Sequence, residues 1–259
     1  MKGLVFVLVA LILAFAAYAA TATHDVRSGV WTAEVLDEGK LNMSVFTGRS
    51  DMHWGNNISG FTLPLARFEG LSTADGPSKF TLHAPAGTIA FDGHFDALKG
   101  AGHFNFTPND SFVRDMESLG YHDFRDDELL TFTTTDLSAD TIRGLKSMGY
   151  DISRKELDET AVFHITPAVI REYAQAGYPN LAMRDVVEFR VGRITPKRID
   201  EYRSLGYDHL TARQLSEMGI MNVTADYIRQ MQAIGVTDLH KLIELKTMGA
   251  SDILLKKKH

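Results

Sequence analysis

The side chains with the widest chemical reach lie between Thr81 and Asn105. If Phe91, Phe95, Phe104 and Phe106 face inward on two strands, alternation leaves Asp92, His94, His103 and Asn105 on the other face. Thr81 and His83 join them from the preceding strand. Imidazoles that converge on one point can hold a divalent metal such as zinc, so a register placing His94 opposite His103 would open a two- or three-histidine site. The plainer reading is a solvated sheet face, because no further acid or histidine completes a ligand set by spacing. His94 and His103 therefore stand as the weaker alternative to no metal at all. The acids Asp126, Asp127 and Glu128 open a helical pattern, where carboxylates suit the positive end of the dipole. The chain contains no His-Glu-x-x-His, Gly-x-Ser-x-Gly, Ser-x-x-Lys or phosphate-cradling glycine loop. It also has no cysteine, which removes thiolate chemistry and disulfides. The expectation is a protein that is not an enzyme and carries no cofactor.

The elements that must position these groups fall into two kinds. From Gly29 to Phe106 apolar residues recur with period two, as in Trp31/Ala33/Val35, Leu41/Met43/Val45 and Ile89/Phe91. Polar and glycine turns at Asp37-Glu38-Gly39, Pro85-Ala86-Gly87 and Leu98-Lys99-Gly100 separate them. This predicts an antiparallel sheet or partial barrel of five to seven strands, apolar on one face. The stretch Gly48–Asn57 reads as a loop, with Trp54 either buried as a lid or exposed as a binding contact.

From Asn109 onward the chain repeats. Gly-Tyr or Gly-Val recurs at Gly120, Gly149, Gly177, Gly206 and Gly235, at spacings of 29, 28, 29 and 29 residues. Eleven residues before each glycine stands Asn109, Ser138, Thr166, Thr195 or Thr224, all helix-capping types. An apolar stripe follows at the fourth, seventh and tenth positions, and the glycine then ends the helix in a left-handed conformation. A second helix follows each, opened by Ser153-x-x-Glu156 or Thr211-x-x-Gln214 capping boxes in two units. Such short helices are marginal alone and need stacking. The expected fold is α+β: a signal peptide over residues 1–22, an antiparallel β domain over 24–108, and an α-solenoid of about five two-helix repeats over 109–259. No linker separates the last two, since Thr107-Pro108 runs straight into the cap Asn109.

The unit Ile165-Thr-Pro-Ala-Val-Ile170, closed by Gly177-Tyr178, resembles helical repeats of uncharacterised exported bacterial proteins. Similar repeats occur in the extracytoplasmic parts of some membrane metallopeptidases of the antibiotic-sensor type. The resemblance covers about Asn109–Gly249 and extends at its widest to the β segment Ala86–Pro108 leading into it. It implies an extracytoplasmic sensing or interaction module; the zinc motif and membrane bundle of those peptidases are missing, so their activity is not implied.

Lys2, the apolar run Leu4–Ala16 and Ala17-Tyr18-Ala19 read as a cleaved leader, cut after Ala19 or Ala22, with export to the periplasm or medium and no stable membrane insertion afterwards. Net charge is −6, without a basic stripe, which argues against nucleic acid. Charge is uneven along the repeats, −6 over residues 109–137 and +2 over 224–259. The function expected is a scaffold that binds a protein or peptide partner in the envelope through the repeat surface. Arg171, Arg198 and Arg229 on the first helices, with Trp54, are its candidate contacts. The alternatives are a small apolar ligand or lipid held by the β domain, and a hydrolase with an unrecognised site.

Overall fold

The computed structural model describes residues 27–47 and 58–249. Its architecture is α+β: a curled antiparallel sheet followed by ten helices. The strands are β1 (Ser28–Leu36), β2 (Lys40–Thr47), β3 (Ile58–Pro64), β4 (Phe68–Glu69), β5 (Gly76–Ala84), β6 (Gly87–Asp96) and β7 (Lys99–Pro108). Their order across the sheet is β3-β2-β1-β7-β6-β5-β4, with every pairing antiparallel. The two edges, β3 and β4, are consecutive in sequence and joined only by the 3-10 turn Leu65–Arg67. Six flat interstrand steps would span about 29 Å. The four virtual bonds from Pro64 to Phe68 reach about 15 Å at most. The sheet must therefore curl until its edges face each other, which it does as a half-barrel.

The inner face is filled. Trp31 is fully buried and its ring meets Phe80, Phe91 and Phe95 at centroid distances of 5.3, 6.0 and 5.7 Å. Its indole N–H donates to the His103 carbonyl at 3.0 Å. Glycines make room for the indole: a Cβ on Gly93 or Gly100 would stand 2.6 or 2.8 Å from it. The turn before β7 lies at Ala97-Leu98, both at positive φ, so Lys99 and Gly100 already belong to the strand rather than to the expected turn.

The helices, each nine residues long, are α1 (Asp110–Ser118), α2 (Asp126–Thr134), α3 (Ala139–Ser147), α4 (Arg154–Val162), α5 (Pro167–Gln175), α6 (Met183–Val191), α7 (Pro196–Ser204), α8 (Ala212–Ile220), α9 (Ala225–Ala233) and α10 (Leu239–Thr247). The boundary between two compact units falls between Ser138 and Ala139. Helices α1 and α2 carry the first copy of the repeated pattern, yet they belong to the unit of the sheet. Asn109 caps α1 and ties its start to the β5–β6 turn, its backbone N–H to Ala86 O and its side-chain amide to Pro85 O, both 2.9 Å. α2 packs against β3, β5, β6 and β7. Arg27 grips Asp126 at its first turn, and Arg67 grips Asp136 just past its end.

In the second unit, α3 contacts α5, α4 contacts α6, α6 contacts α8, and α7 contacts α9, so odd and even helices make separate rows. The predicted caps are in place: Thr166, Thr195 and Thr224 accept from Val169, Arg198 and Tyr227 N–H, and Ser153 and Thr211 form capping boxes with Glu156 and Gln214. Gly149, Gly177, Gly206 and Gly235 take φ between 85° and 93°. Across each, the next residue's N–H returns to the carbonyl five earlier, as from Tyr178 to Tyr173 at 2.9 Å. This is the six-to-one bond of a Schellman end. Asp238 caps α10, where the pattern departs, and Leu242 is fully buried there.

Candidate binding surface on the helical unit

Helices α4, α6 and α8 end differently from the odd helices and from α10, which is followed by Gly249 at φ 64°. The same backbone closure appears, Ile165 to Thr160 at 2.9 Å, Ile194 to Phe189 and Val223 to Met218 at 2.8 Å. The left-handed position, however, is filled by His164, Arg193 and Asn222 at φ of 49°, 53° and 51° instead of glycine. A side chain in that conformation costs about 1–2 kcal/mol. Two residues before each stands the last residue of its helix, an exposed aliphatic: Val162, Val191 and Ile220, at 50%, 52% and 53% exposure.

Each of these helices repeats a longer pattern. The second residue is a cation (Lys155, Arg184, Arg213), the sixth a glutamate (Glu159, Glu188, Glu217), and the ninth the aliphatic. Positions separated by four and then three residues share one helix face. Successive rungs lie 29 residues apart, and α4–α6 and α6–α8 are in contact, so the three residue types run as parallel rows across the even helices. The placement opposes local economy. Cations stand at the positive end of each helix dipole, and cation-before-glutamate is the poorer order for an i,i+4 pair. Lys155 and Glu159 still meet at 3.4 Å, and Arg184 and Glu188 at 3.1 Å. Among the described residues Arg213 and Glu217 enter no ion pair.

Between α6 and α8 the surface dips into a groove of about 390 Å³, lined by Arg184, Glu188, Arg213, Glu217, Ile220 and Met221. The helices can approach because glycine faces glycine: a Cβ on Gly219 would lie 2.7 Å from Gly192 O and 2.9 Å from its Cα. Ser216 lines the groove at 3% exposure, and its hydroxyl has no hydrogen-bond partner among the described residues.

The arginines singled out from the sequence do not form one set. Arg171 is exposed on α5, and Arg229 is exposed on α9 and paired with Asp226. Arg198 is half-buried and structural. Its guanidinium donates to Gly192 O at 3.0 Å, Val223 O at 3.2 Å and the Tyr202 hydroxyl at 2.7 Å. It stands third after its cap, whereas Arg171 and Arg229 stand fifth, so the three cannot form a ladder. Trp54 and the Gly48–Asn57 loop lie outside the described residues. The tyrosines after the glycines tie neighbouring repeats: Tyr150, Tyr178 and Tyr207 donate to Leu181, Leu210 and Thr237 carbonyls at 2.9, 2.7 and 2.7 Å. Burial pushes all three hydroxyls above the ordinary tyrosine value, so they remain protonated donors.

On the sheet, register pairs His94 with Ala101 and His103 with Asp92, so the two imidazoles are not opposite each other. Among the described residues no group of three or more histidines and carboxylates could hold a metal. A depression of about 560 Å³ is lined in part by Ala90, and its polar groups meet one another: Lys79 pairs with its register partner Asp92 at 2.7 Å, and His83 lies 3.2 Å from Glu69. No described helix is long and apolar enough to cross a membrane.

No family model, curated protein or solved structure matches the chain.

The rows on α4, α6 and α8 lie on the second helix of each unit, not on the first helices that carry Arg171, Arg198 and Arg229. The signal was present in the 29-residue spacing of Lys155, Arg184 and Arg213.

Proposed function

We propose that this protein is an exported, non-enzymatic scaffold whose helical unit is an α-solenoid of two-helix repeats. It captures a protein or peptide partner on the exposed face of α4, α6 and α8. The observation that carries the reading is the row Val162, Val191 and Ile220: three aliphatic side chains, equally exposed, at equivalent helix ends. Exposed apolar groups scattered at random need no explanation, but three at equivalent positions 29 residues apart do. The strained His164, Arg193 and Asn222 beside it add to the case, since the chain uses glycine at every odd-helix end and side chains here. The leader-like Lys2 to Ala19 supports export. The aromatic filling of the sheet's inner face favours this reading over a lipid- or ligand-holding β domain.

The test is affinity capture from envelope extract with the wild-type protein and the Val191→Asp variant, the retained proteins being identified by mass spectrometry. A partner held by the wild type and released by Val191→Asp is the expected result. Identical captures by both, with both folded, would remove the even-helix face from consideration.

A further inference from the structure

Resting on that reading, we infer that the partner is a second copy of this chain, docked face to face through α4, α6 and α8 of both protomers. The first argument is balance of charge. The face carries three cations, Lys155, Arg184 and Arg213, and three acids, Glu159, Glu188 and Glu217, each set in a row of its own. Such a face has no net charge with which to recruit a strongly basic or strongly acidic partner. What complements a cation row beside an acid row is an acid row beside a cation row. That is the same face, turned over.

The second argument is symmetry. The cations stand at the second residue of each helix and the acids at the sixth. A two-fold axis laid along the rows, over the fourth residue, exchanges second and sixth positions between the copies. Every rung then faces the same rung of the other copy, so the rung spacing matches whatever its value. An unrelated partner has to meet that spacing by chance. The same operation carries the ninth residue over the one that precedes the facing cap. Val162, Val191 and Ile220 therefore come over Ile152, Leu181 and Leu210, apolar in all three helices.

The third is that the charges are free to exchange. Lys155 and Arg184 meet glutamates of their own helices, yet their side chains are 86% and 83% exposed. Surface pairs in this poorer order contribute little, so sharing those glutamates with the other copy meets no strong opposition. Arg213 and Glu217 have the same spacing and enter no ion pair among the described residues, which leaves the α8 rung open to a partner's charges.

The experiment is sedimentation equilibrium on the whole protein, from about 1 to 200 µM, a range chosen because a small interface binds weakly. The wild type should form a dimer that weakens as salt is raised. One variant carries Glu188→Lys with Glu217→Lys, and a second carries Arg184→Glu with Arg213→Glu. Each should self-associate at least about tenfold more weakly than wild type, since like charges then face each other at two rungs. An equal mixture of the two should recover a heterodimer, a readout that a folding defect cannot produce. A wild type that stays monomeric, undiminished association of either variant, or no recovery on mixing overturns the second-copy assignment. The scaffold reading fails separately, only if envelope capture is indifferent to Val191→Asp.

Discussion

Arg67 and Asp136, 69 residues apart, meet in a two-pronged ion pair, Nη1 to Oδ2 at 2.8 Å and Nη2 to Oδ1 at 3.0 Å. Arg67 ends the 3-10 turn that carries the chain from one sheet edge to the other, and Asp136 is the left-handed residue closing α2. One contact thus fastens the covering helix at the point where the sheet nearly closes. The Asp136 carboxylate, hydrogen-bonded to the guanidinium, holds Arg67 above its already high ordinary value, so the cation persists at every accessible pH.

Both partners are partly exposed, which discounts the pair to about 0.5–1 kcal/mol. Arg67→Met should lower stability by that amount in denaturant titration. A double-mutant cycle with Asp136→Asn should recover most of the loss as coupling. Strict additivity of the two substitutions would show that the pair does not fasten α2.

The left-handed helix ends predict opposite responses to exchanging glycine and side chain. Gly177 has φ +93°, and a Cβ there would also meet the Arg203 guanidinium at 3.0 Å, so Gly177→Ala should destabilise by about 1 kcal/mol or more. Arg193, at φ 53°, has no side-chain partner among the described residues, so Arg193→Gly should stabilise by up to about 1 kcal/mol. At Asp136 the same change to glycine forfeits the ion pair and should gain nothing. Thermal melts of the three variants, compared under one buffer, check the signs.

Much of this fold could be read before any coordinates. The five glycines and their caps are governed by chemistry within a dozen residues, so Thr166, Gly177 and Tyr178 were assignable from spacing. The sheet faces were equally accessible, because Phe91 and Asp92 must point opposite ways. Register was not: whether His94 meets His103 or Ala101 depends on where the turn falls, and a turn at Ala97-Leu98 carries no glycine to announce it. The missing linker at Thr107-Pro108 implied that the first repeat abuts the sheet, but not the grip on α2, whose pattern matches later units and which only the distant Arg27 and Arg67 distinguish. The role of Arg198 was hidden for a related reason. Its acceptors, Gly192 and Val223 carbonyls, are brought together by stacking and leave no trace in local sequence.

Acid should loosen the start of α4 in a defined way. Hydrogen bonds from the Ser153 hydroxyl at 2.6 Å and its backbone N–H at 2.8 Å hold Glu156 below the ordinary carboxylate value. A folded-state value lower than the unfolded one contributes stability that is complete above the unfolded pKa and is lost as pH falls through the folded one. Glu156→Gln keeps the capping geometry, as Gln214 does with Thr211, but cannot titrate. Its stability should therefore fall less than wild type's between about pH 5 and pH 3. Parallel pH profiles for the two proteins would show that the capping carboxylate does not contribute.

The final prediction separates a structural arginine from surface ones. Arg198 holds two main-chain carbonyls and a tyrosine hydroxyl, and Tyr202 itself donates to Val223 O at 2.6 Å. Lysine carries the charge but lacks the planar fork that reaches three acceptors. Removing the fork leaves the Gly192 carbonyl, itself buried at the end of α6, without this donor. Arg198→Lys should therefore cost about 1–3 kcal/mol. Arg171→Ala and Arg229→Ala, on exposed positions of α5 and α9, should stay within about 0.5 kcal/mol. None of the three should change binding to the even-helix face once stability is matched by temperature. A selective loss of partner capture in Arg171→Ala and Arg229→Ala, with melting unchanged, would move the binding surface to the odd helices.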